Sequence, residues 1–174
     1  MEIFILNNAS KIARNKKVLE KKLKTRIIIE GKKITLLGDG FNQFVASKVI
    51  EALEANFTVP AAMLLAEEDF ILEHLNIKEI SRRNRRSDVR ARVIGKKGRT
   101  MEIIGELSDC YITLNDNIVS IIGPADKIEI ALHALKALIR GSKQSSVYAY
   151  LEKKRKMQRD DQVFIKDEEE DEDE

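Results

Sequence analysis

A chain of 174 residues with 43% apolar side chains can bury one ordinary core or two small ones. Its 31 basic side chains face 29 acidic ones, and eight of those acids form the C-terminal run DEEEDEDE, so the body without that run is net +10. A basic body suits a polyanion, and it equally suits a plain solvated surface; the absence of Trp and an aromatic content of 5% argue against an aromatic-lined carbohydrate or peptide groove.

The opening residues MEIFIL read as a strand. Residues 9–24 read as one continuous helix, with Ile12, Leu19 and Leu23 on one face. Residues 25–37 alternate apolar side chains around the turn residues EGKK, as a hairpin does. After Gly38 the period becomes helical, and Phe41, Phe44, Val45 and Val49 are expected to pack that helix inward. Residues 1–58 form the first expected domain. Residues 59–74 open with Pro60 near a helix start and carry Met63, Leu64, Leu65, Phe70 and Ile71, which reads as a packed helical connector. LNIKEI, residues 75–80, reads as a strand and opens a second domain, 75–142. Residues 143–166 read as a basic C-terminal helix, and 167–174 as a disordered acidic tail.

The two domains are one unit written twice. Residues 25–53 align with 110–138 at a constant offset of 85, without a gap. Ile27 falls on Ile112, Ile29 on Leu114, Leu36 on Ile121, Gly38 on Gly123, Ala46 on Ala131 and Leu53 on Leu138. Each copy reads as strand, helical region, strand, strand, helix. The expected fold class is therefore α+β, with two tandem three-stranded sheets, each carrying helices on one face.

The copies differ at one place. Residues 92–100 read R-V-I-G-K-K-G-R-T, and the offset sets Gly95-Lys96-Lys97-Gly98 on Ser10-Lys11-Ile12-Ala13. The first copy lacks glycine there, so its helix is free to run straight through. In the second copy glycine permits a tight turn and close approach, and the helix beginning near Arg99 points its free N–H groups at that turn. Such a helix start accepts phosphate.

Helix, G-x-x-G turn, helix, hairpin and helix in this order resemble the K-homology (KH) domain of type I across residues 75–140. The KH loop clamps a single-stranded backbone of about four nucleotides. The first copy resembles a degenerate KH domain without that loop. The stretch SDVRARVIGKKGRTMEIIGELSDCYITLNDNIVSIIG, with ALIRGSKQSSVYAYLEKKRK after it, is similar to ribosome-assembly factors of the partner-of-Nob/Krr type. The resemblance implies a non-catalytic protein that binds single-stranded RNA at the 3′ region of small-subunit ribosomal RNA and cooperates with the Nob-type endonuclease. The long N-terminal extension of eukaryotic members is missing, which points to an archaeal form. Two departures stand out: the dense basic block RRNRR, and Gly105 inside the helix after the loop, which should weaken that helix by about 1 kcal/mol relative to Ala.

The candidate phosphate ligands are Arg82, Arg83, Arg85, Arg86, Arg90, Arg92, Lys96, Lys97 and Arg99, arranged around Gly95 and Gly98 with Asp88 the one acid among them. By the family match Val93, Ile94, Met101, Ile104 and Ile112 are candidates for an apolar floor under the bases, of which two or three should touch one. The same apolar spacing also serves a core.

Enzymatic chemistry has little support. No nucleophile–base pair, carboxylate pair or Cys/His cluster is visible, so neither a metal nor a cofactor is expected. Cys110 excludes an intrachain disulfide and reads as a small buried residue. No run reaches the ~20 apolar residues of a membrane span, and a cytoplasmic protein is expected. A second reading stays open: a scaffold whose loop-less first domain docks assembly or translation factors, with RNA contact secondary.

Overall fold

The structure, a computed structural model, describes residues 2–6, 9–81 and 86–171, with the side chains of Arg86 and of 161–171 left aside. In chain order, β1 (Glu2–Ile5) leads to α1 (Ser10–Leu23), the hairpin β2 (Arg26–Glu30) and β3 (Lys33–Leu37), and α2 (Gly40–Glu54). A short α3 (Val59–Met63) and a 3-10 turn precede β4 (Phe70–Asn76) and α4 (Ile77–Ile80). Then come α5 (Arg86–Ile94), α6 (Arg99–Ser108), the hairpin β5 (Tyr111–Asn115) and β6 (Ile118–Pro124), α7 (Ala125–Arg140) and α8 (Gln144–Asp171). No helix among the described residues is long and apolar enough to cross a membrane.

The repeat is structural. The sheets have the orders β1-β3-β2 and β4-β6-β5. Ile27 pairs with Leu36, and 85 residues on Ile112 pairs with Ile121 in the same antiparallel register. The hairpins and the helices after them keep the offset because their lengths are set by local turns and caps. Upstream the offset fails: the second copy has α4 and α5, whereas the described residues of the first have no helix before Ser10. α1 covers the four positions aligned with the loop, Ser10 to Ala13, without a break, as the sequence suggested, and begins at the first of them.

The chain forms two compact units, Met1–His74 with Tyr111–Ala125, and Leu75–Cys110 with Asp126–Glu174. In the first, Leu6, Ile12, Leu19, Ile27, Leu36, Ile50 and Phe57 form the core, joined by Ile122. Each such aliphatic side chain contributes about 1.5–3 kcal/mol by leaving water. The central strand β3 buries Ile34, Thr35 and Leu36 in succession, so both its faces are covered, not one. α1 ends at Lys24 in the left-handed region, with Lys21 and Lys22 at the negative end of its dipole. α2 is capped by Asp39, whose carboxylate accepts from the Asn42 N–H at 3.0 Å; this bond, with the one to the Asn42 side chain, holds the carboxyl below the usual range. The second hairpin is tied in here: Thr113 Oγ1 donates to Ala55 O at 2.8 Å, and His74 bridges Ser120 Oγ (2.8 Å) and Glu51 (3.1 Å).

Four expectations need correcting. Phe41 and Phe44 do not pack inward: they are 72% and 61% exposed, and Ala46, Val49, Ile50 and Leu53 form the buried stripe of α2 instead. The connector is helical only to Met63 and passes through a 3-10 turn into β4, where Phe70 and Leu72 alternate with the more exposed Ile71 and Glu73. The strand expected at 75–80 ends at Asn76, because the Asn76 side chain accepts from Lys78 N–H at 3.0 Å and starts a helical turn. At the other end, α8 extends to Asp171, into the run read as a tail.

Candidate nucleic-acid interface

The break between α5 and α6 is built from backbone angles that favour glycine. The Gly95 N–H still closes α5 by donating to Ala91 O at 2.8 Å. Gly95 then takes φ 74°, Lys97 φ 55° and Gly98 φ 81°, so three of the four loop residues lie in or near the left-handed region. Glycine accepts this freely, whereas a lysine there costs about 1 kcal/mol. Gly95 is needed for space as well: a Cβ on it would lie 2.7 Å from Thr100 Cβ and 2.8 Å from Thr100 N. The loop can fold onto the start of α6 only without that atom.

α6 then starts at Arg99 with Gly98 as its cap residue, and no side chain caps its first N–H groups. These groups and the positive end of the dipole meet the turn. Gly98 left-handed followed by Arg99 right-handed forms the kind of backbone nest that holds an anion. Lys96 and Lys97 are exposed at its rim, and neither pairs with a carboxylate among the described residues. Arg99 is committed differently: its Nη1 donates to Glu102 at 2.8 Å, and that bond, helped by the carboxylate charge, raises its pKa further.

Arg90 and Arg92 lie half-buried on α5. Arg86 opens that helix, and Arg82, Arg83 and Arg85 lie outside the described residues. Of the apolar candidates, Val93 and Ile104 have no exposed surface. They are core residues and cannot meet a base directly. Ile94 and Met101 are half-buried in the same unit, and Ile112 is half-buried on β5 of the other unit. Ile27, at the same repeat position as Ile112, is fully buried.

The first copy shows what the loop position does without the loop. Lys11, aligned with Lys96, donates through Nζ to Phe57 O at 2.9 Å. Ile12, aligned with Lys97, is buried in the core. Both positions there serve packing.

One loop support was not visible in the sequence. Gln144, at the start of α8, donates through Nε2 to Thr100 Oγ1 at 2.9 Å and to Arg92 O at 3.4 Å. It ties the last turn of α5 to the first turn of α6. No local pattern marks a residue 44 positions away as the partner of Thr100. Gly105, read as a weakness, also has a reason: a Cβ there would lie 2.7 Å from Cys110 O, where the chain folds back on the helix.

The family model for the second PNO1 KH domain, a eukaryotic-type KH domain (KH-domain type I), matches residues 71–156. The Dim2p structure from Pyrococcus horikoshii is 33% identical with a TM-score of 0.78, over 87% of this chain and 98% of that one. A complex of a/eIF2alpha, aDim2p and rRNA from the same organism contains a chain 32% identical with a TM-score of 0.79, over 89% of this chain and 93% of that one. The pre-rRNA-processing protein PNO1 of Coccidioides immitis is 34% identical over 105 residues, 59% of this chain and 41% of that protein. The chain spans between 41% and 65% of the length of the curated relatives it matches. The topology, the GKKG turn and these similarities together establish that the chain belongs to the Dim2p and PNO1 family of KH-domain proteins.

Proposed function

We propose that the chain is a non-catalytic, cytoplasmic single-stranded RNA-binding protein of small ribosomal subunit assembly, which holds the 3′ region of small-subunit rRNA during maturation. The observation that carries this is the asymmetry of the repeats. Where the first copy commits Lys11 and Ile12 to packing, the second presents Lys96 and Lys97, exposed and without a carboxylate partner among the described residues, at an uncapped helix start. A phosphodiester backbone supplies the anion that this arrangement takes. Ile94 and Met101 are then the apolar side chains of this unit left to meet bases, and Arg90 and Arg92 add phosphate contacts beside the loop. The likeness to an aDim2p–rRNA complex and to a pre-rRNA-processing protein supports ribosomal RNA as the ligand. A Nob-type endonuclease is the partner that acts on the RNA so held.

The test is a titration of single-stranded RNA matching the 3′ end of small-subunit rRNA, with a scrambled control. Wild type should prefer the rRNA sequence. Lys96→Asp/Lys97→Asp, shown folded by circular dichroism, should lose binding and flatten the salt dependence by about 0.7 for each phosphate no longer held. A folded double variant that binds as wild type does would sink the clamp.

A second reading rests on a separate observation. Phe41 and Phe44 stand exposed one turn apart on α2 of the unit without a loop. Exposed aromatic pairs of this kind are what a protein partner covers. In this reading the first copy docks an assembly or translation factor, consistent with the presence of a/eIF2alpha in the Pyrococcus complex. If Phe41→Asp/Phe44→Asp removes function while RNA affinity is unchanged, docking is the main role.

A further inference from the structure

Between α7 and α8 the chain turns through Gly141, at φ 116°. Arg92, Gly141, Ser142, Lys143 and Gln144 line an open cleft of about 430 Å³ there. All five belong to the same compact unit as the loop. None is aromatic, so the cleft has no aromatic platform for bases.

Its charge is unbalanced. Arg92 is half-buried and Lys143 exposed, and neither has a carboxylate within 4.0 Å among the described residues. Elsewhere in this unit Arg99 pairs with Glu102, and Lys127 and Arg155 both reach Asp109. Two cations from separate elements thus share one concavity and are left unneutralised.

The cleft is also continuous with the loop. Gln144, in its wall, donates to Thr100 Oγ1 and to Arg92 O. Thr100 in turn lies against Gly95, closer than any side chain on that residue would allow. One hydrogen bond and one backbone contact therefore separate the cleft from the loop, and both are internal to the unit.

We infer that the Arg92–Lys143 cleft is a second RNA-backbone subsite, which seats a phosphate of the strand beyond the roughly four nucleotides clamped at a KH loop. Two cations without an aromatic platform suit backbone contacts, which add affinity and salt dependence but read no sequence. The inference rests on the proposed RNA clamp, and Lys143 is its own residue, outside that clamp.

The experiment uses the full chain and fluorescein-labelled single-stranded RNA of four and of eight nucleotides from the 3′ end of small-subunit rRNA. Affinity is read by anisotropy across a salt series for wild type, Lys143→Glu and Lys96→Asp/Lys97→Asp. Lys143 is exposed, so the single variant should fold, which circular dichroism checks. Lys143→Glu should bind the four-nucleotide RNA as wild type does and the eight-nucleotide RNA about tenfold more weakly, with a salt slope smaller by about 0.7. The double variant should lose both RNAs. If Lys143→Glu binds both RNAs as wild type does, or loses affinity for both equally, the subsite is overturned while the clamp stands. If the double variant keeps both RNAs, the clamp fails, and this inference with it.

Discussion

Lys11 and Lys96 occupy the same position of the two repeats, 85 residues apart, and their ammonium groups are used in opposite ways. The first donates to Phe57 O at 2.9 Å and bridges 46 positions of the chain; the second is exposed and has no carboxylate partner among the described residues. The same residue type is structural in one copy and available in the other because only the second copy interrupts its helix with a glycine turn.

Lys11→Ala should therefore lower stability by about 1 kcal/mol, since it leaves the Phe57 carbonyl without its charged donor. It should leave RNA affinity unchanged. Lys96→Ala should do the reverse, with little change in stability and weaker RNA binding. Thermal melting and RNA titration of the two variants side by side check this, and a matching loss of stability in both would refute it.

Gly105→Ala should destabilise the protein, against its helix propensity. Alanine in a helix interior is worth about 1 kcal/mol over glycine. Here its Cβ would sit 2.7 Å from the Cys110 carbonyl oxygen, a backbone atom whose residue also donates its N–H to Gly105 O at 3.0 Å. The turn from α6 into β5 would have to open. Urea unfolding should show a lower midpoint for the variant; a raised midpoint would mean that the turn relaxes freely.

Burial pushes the Cys110 thiol up to about 11 from 9.0, partly offset by the Ser108 side chain. The thiol should stay protonated and unreactive at neutral pH, so an aromatic disulfide reagent should modify it only as fast as the chain unfolds. The sign for stability follows from the raised value. The folded state holds the proton more tightly, so this contribution is intact below pH 9 and is lost as pH rises through 11. A Cys110→Ser variant should lack that alkaline loss, as compared by thermal melting from about pH 8 to 11.

The repeat, the two hairpins and the position of the loop were legible because they depend on short-range chemistry. Alternating apolar residues specify a strand face, and glycines at 95 and 98 specify a reversal, wherever the rest of the chain lies. Where a segment's fate depends on a distant partner, the same signals mislead. The apolar run 63–75 reads as helical, yet β4 pairs with β6, and Phe41 and Phe44 match a helical stripe that the core does not use. Gly105 reads as a defect, yet the Cys110 carbonyl lies against it and leaves no room for a side chain.

For this protein the sequence by itself determined that there are two copies of one α+β unit and that only one carries the G-x-x-G turn. The tertiary structure alone decided which lysines are spent on packing and which are exposed, that Val93 and Ile104 belong to the core, and that Gln144 ties the start of α8 to the loop. Periodicity records which face of an element is apolar. It does not record which partner covers that face, because that contact is made across tens of residues by packing and by hydrogen bonds that no local pattern encodes.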